Sequence, residues 1–412
     1  MQPVPQRCDV VVVGAGYAGL SAALTLARAG RNVHVFDRMR PGEGASTRNG
    51  GIASGALRPS FASLIEKLGV DRARTIYLEA KVAREDLADF ITREGIKCDY
   101  QLVGRFTGAS YQRDFDGLRI DAELHQKHFG INTELVTPGN IQREIGTDRY
   151  FGGVVRPDIA GLHPAKLHAG MLALARQAGA TVHGETAVTR LQSNGNGFDL
   201  RTLRGPIRAR HVVVATNGYG DRSNRWLRKR LVPVASRIIA TEAITGALMD
   251  ELIPQRRMLG ETRNLYHYFR PSPDGSRILF GGRCPNPRSN PLAGTDSLRR
   301  ELVQLFPRLS AAGISHSWFG YVAYNRDSLP RLFVHDGVHY AAGFCGSGVV
   351  WARWLGLKAA LHILGDPQAQ SAFHERAPKA VPLYNGNPWF LPMVTGWLRF
   401  KDGLAERGSK RI

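Results

Sequence analysis

A short apolar run, Cys8 to Val13, passes directly into Gly14-Ala15-Gly16-Tyr17-Ala18-Gly19. The β-branched run reads as a buried parallel strand. The residues that follow, LSAALTLARAG, carry apolar side chains at helical spacing and stop at Gly30. Asn32 to Phe36 reads as a second strand, ending at Asp37 and Arg38. Each part has a physical task. Gly14 permits the tight turn, Gly16 lets backbone approach a pyrophosphate, and Gly19 lets helix and strand pack closely. The N-terminus of the helix faces the phosphates. Asp37 lies 18 residues after Gly19, where a carboxylate can accept hydrogen bonds from a ribose diol. Strand, glycine turn, helix, second strand and acid in register predict a dinucleotide-binding βαβ unit.

That unit does not by itself separate one dinucleotide cofactor from another. Gly44-Ala45-Ser46-Thr47-Arg48-Asn49-Gly50-Gly51 is a second loop of small residues and backbone donors, able to hug a large flat cofactor. With this loop the chain resembles the D-amino-acid-oxidase-like (DAO) superfamily of FAD-dependent amine oxidoreductases, and most of all its γ-glutamylputrescine-oxidase-like branch. Three further segments carry the resemblance. Glu185 to Leu191 is similar to the family strand whose backbone at Val188 brackets the adenine. An apolar strand from His211 runs into Thr216-Asn217-Gly218-Tyr219. The segment Gly343-Phe344-Cys345-Gly346-Ser347-Gly348-Val349 resembles the family's strand–GxxGxG–helix element, whose helix dipole stabilises charge on reduced flavin. The resemblance implies FAD held by these segments, and a fold that joins a Rossmann-like α/β domain to a mostly antiparallel sheet.

The flavin motifs are discontinuous, so the cofactor domain is expected from residues 1–97, 154–230 and 329–373. Residues 98–153 and 231–328 are then the substrate domain, and 374–412 a tail. Alternation in Leu265 to Phe269 and Arg277 to Phe280 predicts antiparallel strands. Pro271-Ser272-Pro273-Asp274-Gly275 predicts a hairpin turn between them. A helix is expected from Leu298 to Phe306, capped near Asp296 or Ser297.

The resemblance implies oxidation of a carbon–nitrogen bond, with hydride passing to flavin N5 and the imine hydrolysing in water. Departures from the family narrow the substrate. Val322 stands where amino-acid oxidases of the family place a carboxylate-binding Arg, which disfavours simple α-amino acids. Val350 replaces a Lys of sarcosine oxidase, and Leu279 stands where that enzyme has its oxygen-activating Lys. Gly320 replaces its flavin-tethering Cys, so FAD is expected to be non-covalent. A secondary or N-substituted amine with an anionic end fits these departures. The catalytic candidates are His267, Tyr266 and Arg283. The substrate candidates are Tyr268, Arg270, Trp318, Tyr324 and Arg326, with sheet packing or a surface ion pair as the alternative at each. Molecular oxygen is the expected acceptor. A dehydrogenase, an amino-acid oxidase and a flavoenzyme acting on a modified tRNA base are the alternatives.

Composition bounds these readings. The 412 residues hold 55 Lys and Arg against 35 Asp and Glu, a net charge of +20. Only ten of the 55 are Lys. Basic residues such as Arg72, Arg105, Arg143 and Arg257 are spread along the chain, as on a solvated surface. No nucleic-acid partner is expected, although an anionic substrate or an acidic membrane also suits this charge. Four separated cysteines (Cys8, Cys98, Cys284, Cys345) and the absence of a signal-peptide pattern suggest a reduced cytoplasmic setting. The tail combines Trp389, Phe390, Trp397 and Phe400 with basic residues, either packed on its own domain or forming a peripheral membrane or dimer contact.

Overall fold

The computed structural model describes residues 3–283 and 291–408. The strand Arg7–Val13 pairs in parallel with Val33–Phe36 on one side and Gly205–Val214 on the other. The sheet continues through Thr181–His183 beyond Val33–Phe36, and through Val338–Ala342 and Arg331–His335 beyond Gly205–Val214. A hairpin, Val188–Ser193 with Phe198–Thr202, extends from the long central strand. Val10, Val11 and Val12 are fully buried, as a strand covered on both faces requires.

The helix Tyr17–Arg28 packs on this sheet and against the helix Gly348–Leu364. That contact is close because both partners are small. A Cβ on Gly356 would lie 2.2 Å from Ala18 O, and one on Gly19 would lie 1.8 Å from Gly14 O. Neither position can carry a side chain without the first helix moving off its strand.

A second sheet has eight strands, starting from Ile314–Tyr324 and Val232–Thr241, which pair antiparallel over ten positions. It continues through Ile278–Arg283, Tyr268–Pro271 and Met258–Glu261 to Arg105–Gly108, Gly153–Arg156 and Glu134–Val136. The hairpin expected at Pro271 to Gly275 is present, with Phe269 opposite Phe280. A separate core holds Phe106, Phe269, Phe280 and Phe306.

Three expectations need correction. The strand Gly153–Arg156 pairs with Arg105–Gly108, so the second sheet extends past the boundary drawn at residue 154. Val155 lies opposite Phe106 and joins the same apolar core, which is what holds the strand there. The helix expected from Leu298 starts at Pro291, since proline suits a first helical turn. Residues 112–129, within the substrate domain expected as a mostly antiparallel sheet, form one 18-residue helix. The tail contains the helix Leu391–Gly408. No helix among the described residues is long and apolar enough to cross a membrane. Cys284 lies outside the described residues, and Cys8, Cys98 and Cys345 are free thiols.

Candidate functional site

A cleft of ≈ 560 Å³ is lined by residues of both sheets. One end is made mostly of backbone. The helix Tyr17–Arg28 starts at Gly16 without a side-chain cap, so its first turn can offer amides to a phosphate. Tyr17 N donates to Ser46 Oγ at 3.0 Å, which joins the first glycine turn to the second loop. The Asp37 carboxylate accepts from Ala15 N at 2.8 Å and Met39 N at 2.9 Å. Burial raises its pKa above the usual carboxylate range, and these two bonds oppose the rise. Asn217 Oδ1 accepts from Gly343 N at 2.9 Å, tying the turn after the central strand to the last glycine-rich turn.

Of the residues expected around the cofactor, all but Gly19, Gly51, Gly218 and Gly343 line the cleft. Those four stand behind it as packing positions. A Cβ on Gly51 would lie 2.1 Å from Leu162 O. A Cβ on Gly218 would lie 3.4 Å from Ala323 N. Uncapped amides, glycine turns with no room for Cβ and an acid at the end of the second strand together form a cradle that fits FAD.

The other end is made of side chains. Tyr268, at the start of the strand Tyr268–Pro271, and Tyr266, in the turn before it, both line this end. They reach the glycine turns: a Cβ on Gly346 would lie 3.5 Å from Tyr266 Oη, and one on Gly50 would lie 3.1 Å from the Tyr268 ring. Tyr268 shares a hydrogen bond with Ser236 Oγ at 3.0 Å, and its desolvation pushes the phenol up to about 12. Arg283 donates to Tyr266 Oη at 3.2 Å and to Tyr324 Oη. The Arg58 guanidinium lies 4.9 Å from the Tyr266 ring centre. Arg105 also lines this end, and its Nε has no hydrogen-bond partner among the described residues. Desolvation alone would raise the Tyr266 phenol. Arg283, Arg58 and Arg105 outweigh it and bring the group below its usual value. Among the described residues no carboxylate lies within ion-pair distance of these three arginines. Farther along the cleft, by contrast, Arg84 and Arg156 both meet Asp158.

Four expected site residues do other work. His267 alternates away from Tyr266 and Tyr268 onto the opposite face of the sheet. It is buried there, bonded through Nδ1 to Glu261 Oε1 at 2.8 Å and stacked on Phe280. Burial would raise the Glu261 carboxyl, but the bond from His267 outweighs it and holds the group below its usual range. Arg270 donates to the carbonyls of Gly51 and Leu162 at 3.1 and 3.0 Å, so it braces the second glycine loop. Its burial lowers the guanidinium to about 10. Trp318 Nε1 donates to Arg48 O at 3.1 Å and braces the same loop from the other side. Arg326 is exposed on the turn after Ile314–Tyr324, away from the cleft.

Sequence reasoning missed Arg58 and Arg105. The even spread of basic residues predicts Arg105 on a solvated surface, whereas it lines the cleft. Its only local signal is that it begins an alternating strand, Arg-Phe-Thr-Gly, whose other face is apolar. Arg58 follows the second glycine loop with no periodic pattern to mark it.

The family model for FAD dependent oxidoreductases (DAO) matches residues 9–360. The chain belongs to that family and is an FAD-dependent oxidoreductase. It is 32% identical to the gamma-glutamylputrescine oxidoreductase of Escherichia coli (strain K12) over 372 residues, covering 89% of this chain and 86% of that one. Among solved structures, glycine oxidase from Geobacillus kaustophilus superposes with a TM-score of 0.75 at 22% identity, over 92% of this chain and 99% of that one. Iminodiacetate oxidase from a Chelativorans species gives 0.73 at 20% identity, over 90% and 100%. By their printed names these relatives are oxidases or oxidoreductases of amines or amino acids.

Proposed function

We propose that the protein oxidises a carbon–nitrogen bond of a secondary or N-substituted amine bearing an anionic end, with molecular oxygen as the final acceptor. The observation that carries this reading is the group of Arg58, Arg105 and Arg283 around Tyr266, with no carboxylate partner among the described residues. Arg105 and Arg283 are partly shielded from solvent and Arg58 is exposed beside them, so an anion entering next to Tyr266 would meet two partly desolvated cations and a solvated one. The resemblance to gamma-glutamylputrescine oxidoreductase and to iminodiacetate oxidase, by their names enzymes of amines with carboxylate-bearing parts, supports the same class.

The chain's residues divide the work. Uncapped amides at the start of Tyr17–Arg28 and the turn at Gly343 to Gly348 hold the cofactor without a covalent bond. When bound, FAD supplies the two-electron acceptor. Arg283 and Arg58 hold the anionic end of the substrate. Tyr266, Tyr268 and Tyr324 exclude water and orient the amine. Val322 lines the cleft and offers no charge to an α-carboxylate, so simple amino acids are poorly held. The free thiols are consistent with a reduced, cytoplasmic setting.

The test is to mix the holoprotein anaerobically with amines ending in alkyl, carboxylate or phosphonate groups, alongside glycine, sarcosine and D-alanine. Bleaching of the flavin band is followed, then its return on admitting oxygen. The fastest bleaching is expected from an N-substituted amine with an anionic end. Fastest bleaching by glycine or D-alanine would overturn the substrate assignment. A band that stays bleached in air but returns with an artificial acceptor would overturn the oxygen assignment.

A further inference from the structure

The helix Leu391–Gly408 is fastened to the protein by one face. Asp402 is buried, and its carboxylate accepts from Asn264 N at 3.1 Å, Asn264 Nδ2 at 2.7 Å and Leu265 N at 3.1 Å. Its carbonyl accepts from Tyr111 Oη at 3.1 Å. Positions 391, 395, 398 and 405 share this face at helical spacing and are half-buried. These contacts fix the rotation of the helix about its own axis.

The opposite face is therefore held toward solvent. It carries Met393, Val394, Trp397, Phe400 and Leu404, with Trp389 just before the helix, each between 43% and 71% exposed. The Trp397 and Phe400 rings stack 5.8 Å apart, and Lys401 Nζ lies 5.3 Å from the Trp397 ring centre. Arg399, Lys401 and Arg407 are exposed on the same helix. Apolar side chains this numerous and contiguous mark a binding face.

We propose that this face docks on an anionic phospholipid surface. Tryptophans with basic neighbours on a helix of this kind suit the headgroup boundary, where rings enter and cations meet phosphate. Charge favours lipid over a second copy of the chain. In a two-fold contact Arg399, Lys401 and Arg407 would approach a second set of the same residues, on partners each of net charge +20. An anionic bilayer attracts the same charges. The contact is peripheral, through side chains of one helix face.

The test is co-sedimentation of the full holoprotein with vesicles of phosphatidylglycerol and phosphatidylcholine in roughly equal parts, against phosphatidylcholine alone, at about 0.15 M salt. W397S/F400S removes apolar surface without changing charge, and M393S/L404S does the same at independent positions. None of the four residues lines the cleft, so FAD content and amine oxidation in solution are expected to be unchanged. Wild type is expected to bind the anionic vesicles, with each variant weaker by roughly tenfold or more. Equal binding by wild type and variants would mean adsorption by net charge alone and would overturn the proposal. So would absence of vesicle binding, or a wild-type dimer that W397S/F400S converts to monomer, which would assign the face to a second copy.

Discussion

The two ends of the cleft are built by opposite means. The cofactor end is backbone: amides, glycine turns and one acid, most of it contributed by residues 14–51. The end we assign to substrate is side chain: Arg58, Arg105, Tyr266 and Arg283 line it, drawn from two loops and two strands, with Tyr324 bonded to Arg283. A backbone cradle tolerates little change of shape, because a Cβ on Gly19 or Gly51 meets a carbonyl at about 2 Å. A side-chain roof tolerates change of shape and is sensitive to change of charge. Binding of a shared cofactor and choice of substrate thus rest on different physics within one cleft.

The largest expected effect sharpens this contrast. Arg283→Ala should cost an anionic-ended amine about 2–5 kcal/mol, roughly a hundredfold or more in kcat/KM, and leave FAD binding intact. A neutral-ended amine should lose far less. Equal losses for both substrates would mean that Arg283 serves only to hold Tyr266 and Tyr324.

Next in size is Asp37→Ala at the other end. A bond to a charged acceptor contributes roughly 1.5–3 kcal/mol, so FAD affinity should fall at least tenfold, while kcat at saturating FAD changes little. Isothermal titration of apoprotein with FAD measures it. An unchanged dissociation constant would show that Asp37 serves Ala15 and Met39 alone.

A smaller effect is expected from pH. The arginines hold the Tyr266 phenol below its usual value, so it ionises at lower pH than a free phenol. The phenolate places negative charge beside Arg283 and Arg58 and weakens their hold on an anion. KM for an anionic-ended amine, relative to a neutral-ended one, should therefore rise a few-fold as pH climbs through this ionisation. In Tyr266→Phe the ratio should stay flat. A flat ratio in wild type would separate Tyr266 from anion binding.

The smallest catalytic change belongs to His267→Asn. With its ring on the far face of the sheet, kcat should stay within about twofold, while thermal stability falls because buried Glu261 loses a partner worth roughly 1–3 kcal/mol. A kcat loss matching that of Arg283→Ala would return His267 to the active site.

Legibility in the sequence follows the same division. The cradle is local, so spacing from Gly14 to Asp37 and the small residues around Ser46 were enough to read it. The roof is not local. Alternation in Leu265 to Phe269 and Arg277 to Phe280 predicts a hairpin, which forms as Tyr268–Pro271 and Ile278–Arg283, each strand starting later than the alternation does. The same alternation turns His267 away from Tyr266 and Tyr268. Arg270 shares the face of Tyr268 but meets the carbonyls of Gly51 and Leu162 before any substrate. Which arginine is completed by a carbonyl, which by Asp158 and which by phenols alone depends on pairings between distant strands. No window of sequence contains them.

Asp402 has a consequence for the order in which the molecule can be completed. It secures Asn264 and Leu265, the residues leading into Tyr266, from 138 positions farther along the chain. During synthesis the last glycine turn, ending at Gly348, emerges before this clamp does. A nascent chain can therefore have every part of its cofactor cradle outside the ribosome while the loop carrying Tyr266 still lacks its anchor. The cradle residues thus precede the clamp in order of synthesis, and the loop carrying Tyr266 gains its anchor only with Leu391–Gly408.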